Sequence, residues 1–263
     1  MLPLAAETLP STTTDLTAAL QRGFEGHGLS PRKIVAQGGD FPHIAELRID
    51  LTGSKIGKEN LPGAVAGDGL GLTIDQFALF GEPVYFLNTP LNVRIDAEKA
   101  KMVIAGTPQA GSLKLETAEA GTVAVSTTVE ALEELLLSVV SEAAEKQGVA
   151  VKGTKLTLHQ EGPRAITFRA EVTAKVFIMS ATLAVTGRLD VDAAFNARLS
   201  SLALDGDPMV TGLAGSFLRP RLQQLEGRTF PLLAFSPGGM KLRDIEMSVK
   251  PDLRLQARFG GEA

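Results

Sequence analysis

The stretch Ile166-Thr-Phe-Arg-Ala-Glu-Val-Thr-Ala-Lys-Val-Phe-Ile178 alternates apolar and polar residues from its first position to Val176. Ile166, Phe168, Ala170, Val172, Ala174, Val176 and Ile178 fall on one side, and Thr167, Arg169, Glu171, Thr173 and Lys175 on the other. Successive side chains point to opposite faces of a strand, so this pattern predicts a half-buried β-strand. At about 3.3 Å per residue it would run about 40 Å, which is long for a globular sheet. The phase changes near Met179 and Ser180, after which Ala181, Leu183, Val185, Leu189 and Val191 alternate again. That is the expected signature of the return strand of a hairpin, or of a strand carrying a bulge.

Shorter alternations repeat the rule on both sides of this segment. Ala45, Leu47, Ile49 and Leu51 oppose Glu46, Arg48 and Asp50; Leu91, Val93 and Ile95 oppose Asn92, Arg94 and Asp96; Leu253, Leu255, Ala257 and Phe259 oppose Asp252, Arg254, Gln256 and Arg258. Further strands are expected within Gly69 to Leu79, Met102 to Ala105, Ser112 to Thr117, Thr154 to Gln160, Phe195 to Leu204 and Met240 to Val249. One-sided alternation leaves one sheet face wet, which favours antiparallel or mixed pairing over a parallel sheet covered on both faces.

One helix is strongly specified. Thr127 with Glu130 reads as a capping box, Val129, Leu132, Leu136, Val139, Val140 and Ala143 follow helical spacing, and Gly148 supplies a stop. Glu130, Glu133, Glu134, Ser141, Glu142, Glu145 and Lys146 would form its outer face, while Leu135 and Leu137 widen the apolar stripe. A second helical stretch is expected after Asp207-Pro208, running to about Gly227, with a kink at Pro220 or a division there into two short helices. A weaker one, from about Thr14 to Phe24, would bury Leu16, Leu20 and Phe24. The expected fold class is therefore α+β, with a long antiparallel sheet as its main component.

Composition removes whole classes of chemistry. The 263 residues contain no cysteine, so disulfides, thiolate zinc sites, iron–sulfur clusters and thiol catalysis are excluded together. A formal charge of -4 from 26 basic and 30 acidic residues, without long blocks of either sign, gives no electrostatic footprint for nucleic acid. Aromatic residues are 5%, with no Trp and one Tyr, so an apolar site here would be aliphatic. The first ten residues lack a basic n-region and an apolar run of signal-peptide length. No uncharged stretch approaches the roughly 20 apolar residues of a membrane span. These features lead us to expect a cytoplasmic chain with no transmembrane segment.

Catalytic and metal motifs fail on spacing. His27, His43 and His159 share neither a helix turn nor a His-x-His pair. Gly-x-Ser-x-Gly is absent, and Leu213-Ala-Gly-Ser216-Phe lacks the second small residue. Phosphate-cradling loops are missing; Gly67-Asp-Gly69-Leu-Gly71 leads into an expected strand and reads as a turn. Asp190, Asp192, Asp205 and Asp207 lack the loop spacing of a calcium site, and turn formation and helix capping account for Asp205 and Asp207. Phe217-Leu-Arg219-Pro-Arg221 pairs apolar and basic groups, a pattern that could touch anionic headgroups, although a solvated pair on a kinked helix is the plainer reading. No catalytic residue, metal or cofactor is expected, and the chain does not read as an enzyme.

Several of these phrases together resemble one known group. They are Thr127 to Gln147 as the helix, Val149 to Leu158 as the strand that follows, and Arg164 to Val191 as the long hairpin. Leu225-Glu-Gly-Arg-Thr-Phe-Pro-Leu232 and Lys241-Leu-Arg-Asp-Ile-Glu-Met247 follow as closing turn and strand. In this order they resemble the tubular lipid-binding (TULIP) superfamily, and its bacterial branch that includes a mycobacterial envelope factor for lipomannan elongation and cyanobacterial relatives. The resemblance spans roughly residues 44 to 260. It implies a twisted sheet wrapped around a long amphipathic helix, with an apolar groove that binds or transfers a lipid. Residues 1–40 would then be an N-terminal segment carrying a short helix, either outside the fold or part of it, and 41–263 a single elongated lipid-binding-like domain. Leu132, Leu136, Val139 and Val140 of the helix would line the groove with Val172, Val176, Leu183 and Val185 of the strands. The alternative is a non-catalytic structural or protein-interaction domain whose core is filled.

Overall fold

The computed structural model describes residues 1–57, 69–86, 88–145, 150–176, 179–206, 219–220, 222–232 and 242–261. Among these the chain is mostly sheet, with three helices and with sheets that do not close. It divides into two units. The first takes in Met1–Ser126, Leu233–Asp244 and Gln256–Ala263, and the second Thr127–Leu232 and Ile245–Leu255. Residues 1–40 fall within the first unit, and neither unit has a limit at residue 40.

Unit 1 begins with β1 (Leu2–Leu4), α1 (Thr13–Gly26), β2 (Lys33–Gln37), β3 (His43–Asp50) and β4 (Lys55–Ile56). It continues through β5 (Gly71–Phe86), β6 (Thr89–Thr107), β7 (Ala110–Thr117) and β8 (Ala120–Thr127). The N-terminal residues are integral to it: β1 pairs with β7, Leu2 opposite Leu113, and Leu4, Leu16, Leu20 and Phe24 are buried. Thr12 caps α1, its Oγ1 accepting from the Asp15 N–H at 3.1 Å, which supplies a partner to one of the donors a helix start leaves open.

Antiparallel pairing does not hold throughout. β3 and β4 both run parallel to β5, Leu47 opposite Phe77 and Lys55 opposite Tyr85, so the sheet is mixed. One long strand explains two separate sequence signals. The alternations at Leu91 to Ile95 and at Met102 to Ala105 are halves of β6, which changes partner midway: Asn92 to Glu98 pair with β8, and Lys101 to Thr107 with β7. Lys99, between the halves, has a φ of 45°, and its Nζ lies 2.6 Å from Glu119 Oε2 at the corner joining β7 to β8. A left-handed residue at this point bends the strand where its partner changes.

The inner face of this sheet carries Ile44, Leu47, Ile49, Leu72, Ile74, Met102, Ile104 and Leu113, all essentially inaccessible, in one cluster with the buried stripe of α1. The opposite face is polar. That is the clean segregation expected of a sheet packed on one side.

Unit 2 contains α2 (Val129–Glu145), β9 (Ala150–Gly162), β10 (Ala165–Val176), β11 (Met179–Val191), β12 (Asn196–Gly206) and β13 (Thr229–Pro231). Its five strands form an antiparallel sheet in the order β13-β12-β11-β10-β9. The predicted long hairpin is present, β10 pairing with β11 from Ala165 opposite Asp190 to Val176 opposite Met179. The last two strands, β14 (Leu242–Ser248) and β15 (Leu253–Phe259), are divided between the units and join the ten-stranded sheet beside β8.

Two helix readings change. The cap of α2 is Thr128, whose Oγ1 accepts from the Ala131 N–H at 3.1 Å, so the expected box of Thr127 with Glu130 is displaced: Ala131 holds the third helical position and Glu130 stands one position too early to close a box with Thr128. Thr127 itself is buried. Of the expected helix from Pro208 to Gly227, residues 219–220 and 222–225 are helical, and 207–218 and 221 lie outside the described residues. Among the described residues no helix is long and apolar enough to cross a membrane.

Candidate functional site

The strand residues expected to line a groove come together in unit 2. Pairing residues share a face, and the register of β9 to β12 lays out rows across it. One row is Thr154, Val172 and Leu183; the next is Leu156, Ala170, Val185 and Leu204; the third is Leu158, Phe168 and Gly187; the fourth is Gln160, Ile166, Leu189 and Leu199. Apart from Ile166 and Gly187 the apolar members of these rows are half-buried. Val176 ends β10, and its side chain, like Ile178, lies outside the described residues.

Gly187 sets the shape of the third row. A Cβ there would fall 2.5 Å from Cζ of Phe168 and 2.7 Å from Cδ2 of Leu202, so the ring lies over the glycine backbone. Just beyond, β12 bulges at Ser201, which has a φ of 55°, and the bulge leaves two backbone donors without strand partners. Glu226 accepts from both, its carboxylate 2.9 Å from the Ser201 N–H and 2.7 Å from that of Leu202. The glutamate of the Leu225-Glu-Gly-Arg phrase thus holds the rim of the sheet.

The opposite face carries side-by-side ion pairs. Arg188 Nη2 lies 2.7 Å from Asp190, and Arg169 Nε 2.9 Å from Glu171, with Asp205 3.6 Å from Arg169. The pairing holds both guanidiniums in their charged form, raising each above its ordinary value. Asp192 is held below the usual carboxylate range chiefly by the Asn196 backbone N–H, and it closes the turn between β11 and β12. Asp190 and Asp205 lie on β11 and β12 and pair with arginines, and Asp192 closes a turn; the turn expected at Asp205 is instead the end of a strand, and Asp207 lies outside the described residues. Among the described residues no group of three or more His, Asp or Glu is placed to hold a metal ion. His43 Nε2 lies 3.0 Å from Asp75 on the surface of unit 1, in an exposed pair.

One residue of the helix departs from its expected place. α2 packs on β9, and the contact runs through Glu133, a residue its sequence position assigns to the solvent side. The Glu133 carbonyl accepts from Thr154 Oγ1 at 2.7 Å, and its carboxylate from the Leu156 N–H at 2.7 Å. β9 ends the five-stranded sheet, so the carboxylate satisfies a donor that an edge strand would leave open. Leu132, Leu136 and Val140 are half-buried, whereas Val139 is 56% exposed, and Ala131 is buried. Glu133→Ala is expected to cost about 1–3 kcal/mol, the penalty of leaving a partly buried donor unpaired. Glu133→Gln, which keeps an acceptor, should recover most of that loss, and amide exchange at Leu156 should accelerate in the alanine variant alone.

No protein-family model matches the chain, and comparison with curated proteins and with solved structures gives no match.

Proposed function

We propose that unit 2 binds an apolar ligand, the acyl chain of a lipid, along the half-buried face of its five-stranded sheet. The observation that carries this reading is a difference in burial. The inner face of unit 1 is a closed core of inaccessible side chains, whereas Leu156, Leu158, Phe168, Val172, Leu183, Val185, Leu189 and Leu204 form a continuous apolar face of which each member keeps part of its surface accessible. Each buried CH₂ of an acyl chain contributes about 0.8 kcal/mol, so a face of this kind can hold a lipid without polar specificity groups. In this reading the sheet wraps toward α2, which supplies Leu132, Leu136 and Val140 to the wall of the groove and Val139 to its rim. The resemblance to the tubular lipid-binding superfamily leads to the same ligand class and to a transfer role. It also leads to a non-enzymatic protein that meets a membrane at its surface.

Native mass spectrometry of the purified chain, followed by solvent extraction, tests the proposal. Co-purifying acyl species, or uptake of a long-chain fatty acid by the stripped protein, is the expected result. A protein that carries none and takes up none would leave the structural or interaction reading in its place.

A further inference from the structure

The outer face of the unit 1 sheet has a feature that its pairing alone does not call for. Across neighbouring strands the register sets Arg48, Ala78, Asp96 and Thr122 in one row and Glu46, Gln76, Glu98 and Ala120 in the next. Small residues occupy the β8 end of both rows, and Gly121 lies between them. Long charged side chains stand around them. Short side chains at the centre and long ones at the margin make a depression, and a cleft of about 480 Å³ is found there. That volume lies in the range of small-molecule sites.

The charges around the cleft are not equally committed. Arg94 grips Asp96 through two bonds, Nε to Oδ2 at 2.7 Å and Nη2 to Oδ1 at 3.0 Å. Arg48 Nη2 lies 3.3 Å from Glu46, which also accepts from Gln37 at 2.7 Å. Glu119 is paired with Lys99, outside the lining. Three of the four lining carboxylates are therefore neutralised, and the fourth, Glu98, has the Lys99 ammonium in its field.

The two remaining arginines differ. Arg243 on β14 and Arg258 on β15 are exposed, stand on neighbouring strands, line the same cleft, and form no ion pair among the described residues. The Arg243 guanidinium lies against the backbone of Gly261, which has a φ of 83°, so any larger residue there would collide with it. Two guanidiniums that face one depression and form no ion pair among the described residues supply planar N–H donors and positive charge, the combination suited to oxyanions.

We propose that this cleft binds a small organic oxyanion, a phosphate monoester or carboxylate, through Arg243 and Arg258, with its organic body over Ala78, Ala120 and Gly121. The site lies within unit 1 and is independent of the reading of unit 2.

Calorimetric titration of the full chain with phenyl phosphate and with benzoate tests it, with inorganic phosphate and choline chloride as references. Vesicles of phosphatidylcholine with and without phosphatidic acid separate a lipid headgroup from a free anion. Saturable binding of an anionic probe is expected, weakening as salt is added because the cleft is open to solvent. R243Q and R258Q should each weaken it about tenfold or more, as expected for a lost charge-assisted hydrogen bond. R243K/R258K, which keeps the charge, should retain measurable binding, and circular dichroism establishes that each variant is folded. Absence of binding to every anionic probe, affinity unchanged in R243Q/R258Q, or preferential binding of choline would each overturn the proposal.

Discussion

Phe259→Ala is expected to lower the stability of the chain by about 3–5 kcal/mol, the range for removing a large aromatic side chain from a packed core. Phe259 is 1% exposed and belongs to the same cluster as the α1 stripe and the inner faces of β3, β5 and β6. Its ring sits where a Cβ on Gly121 would be, so the site is shaped from both sides. Immediately after it, Gly260 turns with a φ of 94° and the Gly261 N–H donates to Ala118 at 3.1 Å, tying the chain end to the corner between β7 and β8. The end of the last strand, from Gln256 to Phe259, is thus part of the unit 1 core. Gly121→Val should be destabilising for the complementary reason, because it forces the ring out of place. Urea unfolding of the two variants measures both effects. A loss below about 1 kcal/mol for Phe259→Ala would show that β15 contributes little to that core.

The strands were legible in the sequence wherever one face is wet and the other dry. The alternation from Ile166 to Val176 specifies β10, and the phase change at Met179 marks the start of β11. The alternation around Leu47 likewise specifies β3. β2 and β8 were not read, because Lys33–Gln37 and Ala120–Thr127 are short and carry small or mixed residues, and their strand character comes from pairing with β3 and β6. The parallel pairing of β3 and β4 with β5 could not be read either, since register and direction are properties of the partner strand and leave no trace in a single strand's pattern. The candidate site divides along the same line. Val172, Leu183 and Val185 meet as their alternation requires, while the seat of α2 depends on Glu133, whose acceptors answer open donors on β9 that no helical periodicity reveals.

The hairpin also provides the sharpest test of the lipid reading, through Val172→Trp and Leu183→Trp. The two residues stand directly opposite one another on the apolar face, both half-buried, so an indole on either would occupy the space assigned to an acyl chain. If a ligand occupies that space, bound acyl content should fall several-fold while the thermal midpoint shifts by no more than about 2–3 °C, because the ring replaces lipid contacts with its own. If protein atoms already fill it, inserting an indole should overpack the interior at about 1–3 kcal/mol, and Leu183→Ala should cost the about 2–5 kcal/mol of a packed core. Thr173→Trp is the control: Thr173 lies on the other face, its hydroxyl 3.2 Å from that of Thr182, and its enlargement should change neither quantity. Thermal midpoint and extracted lipid are measured on the same preparations. Tryptophan variants that lose stability while acyl content stays constant would place the ligand elsewhere and leave this face as ordinary core.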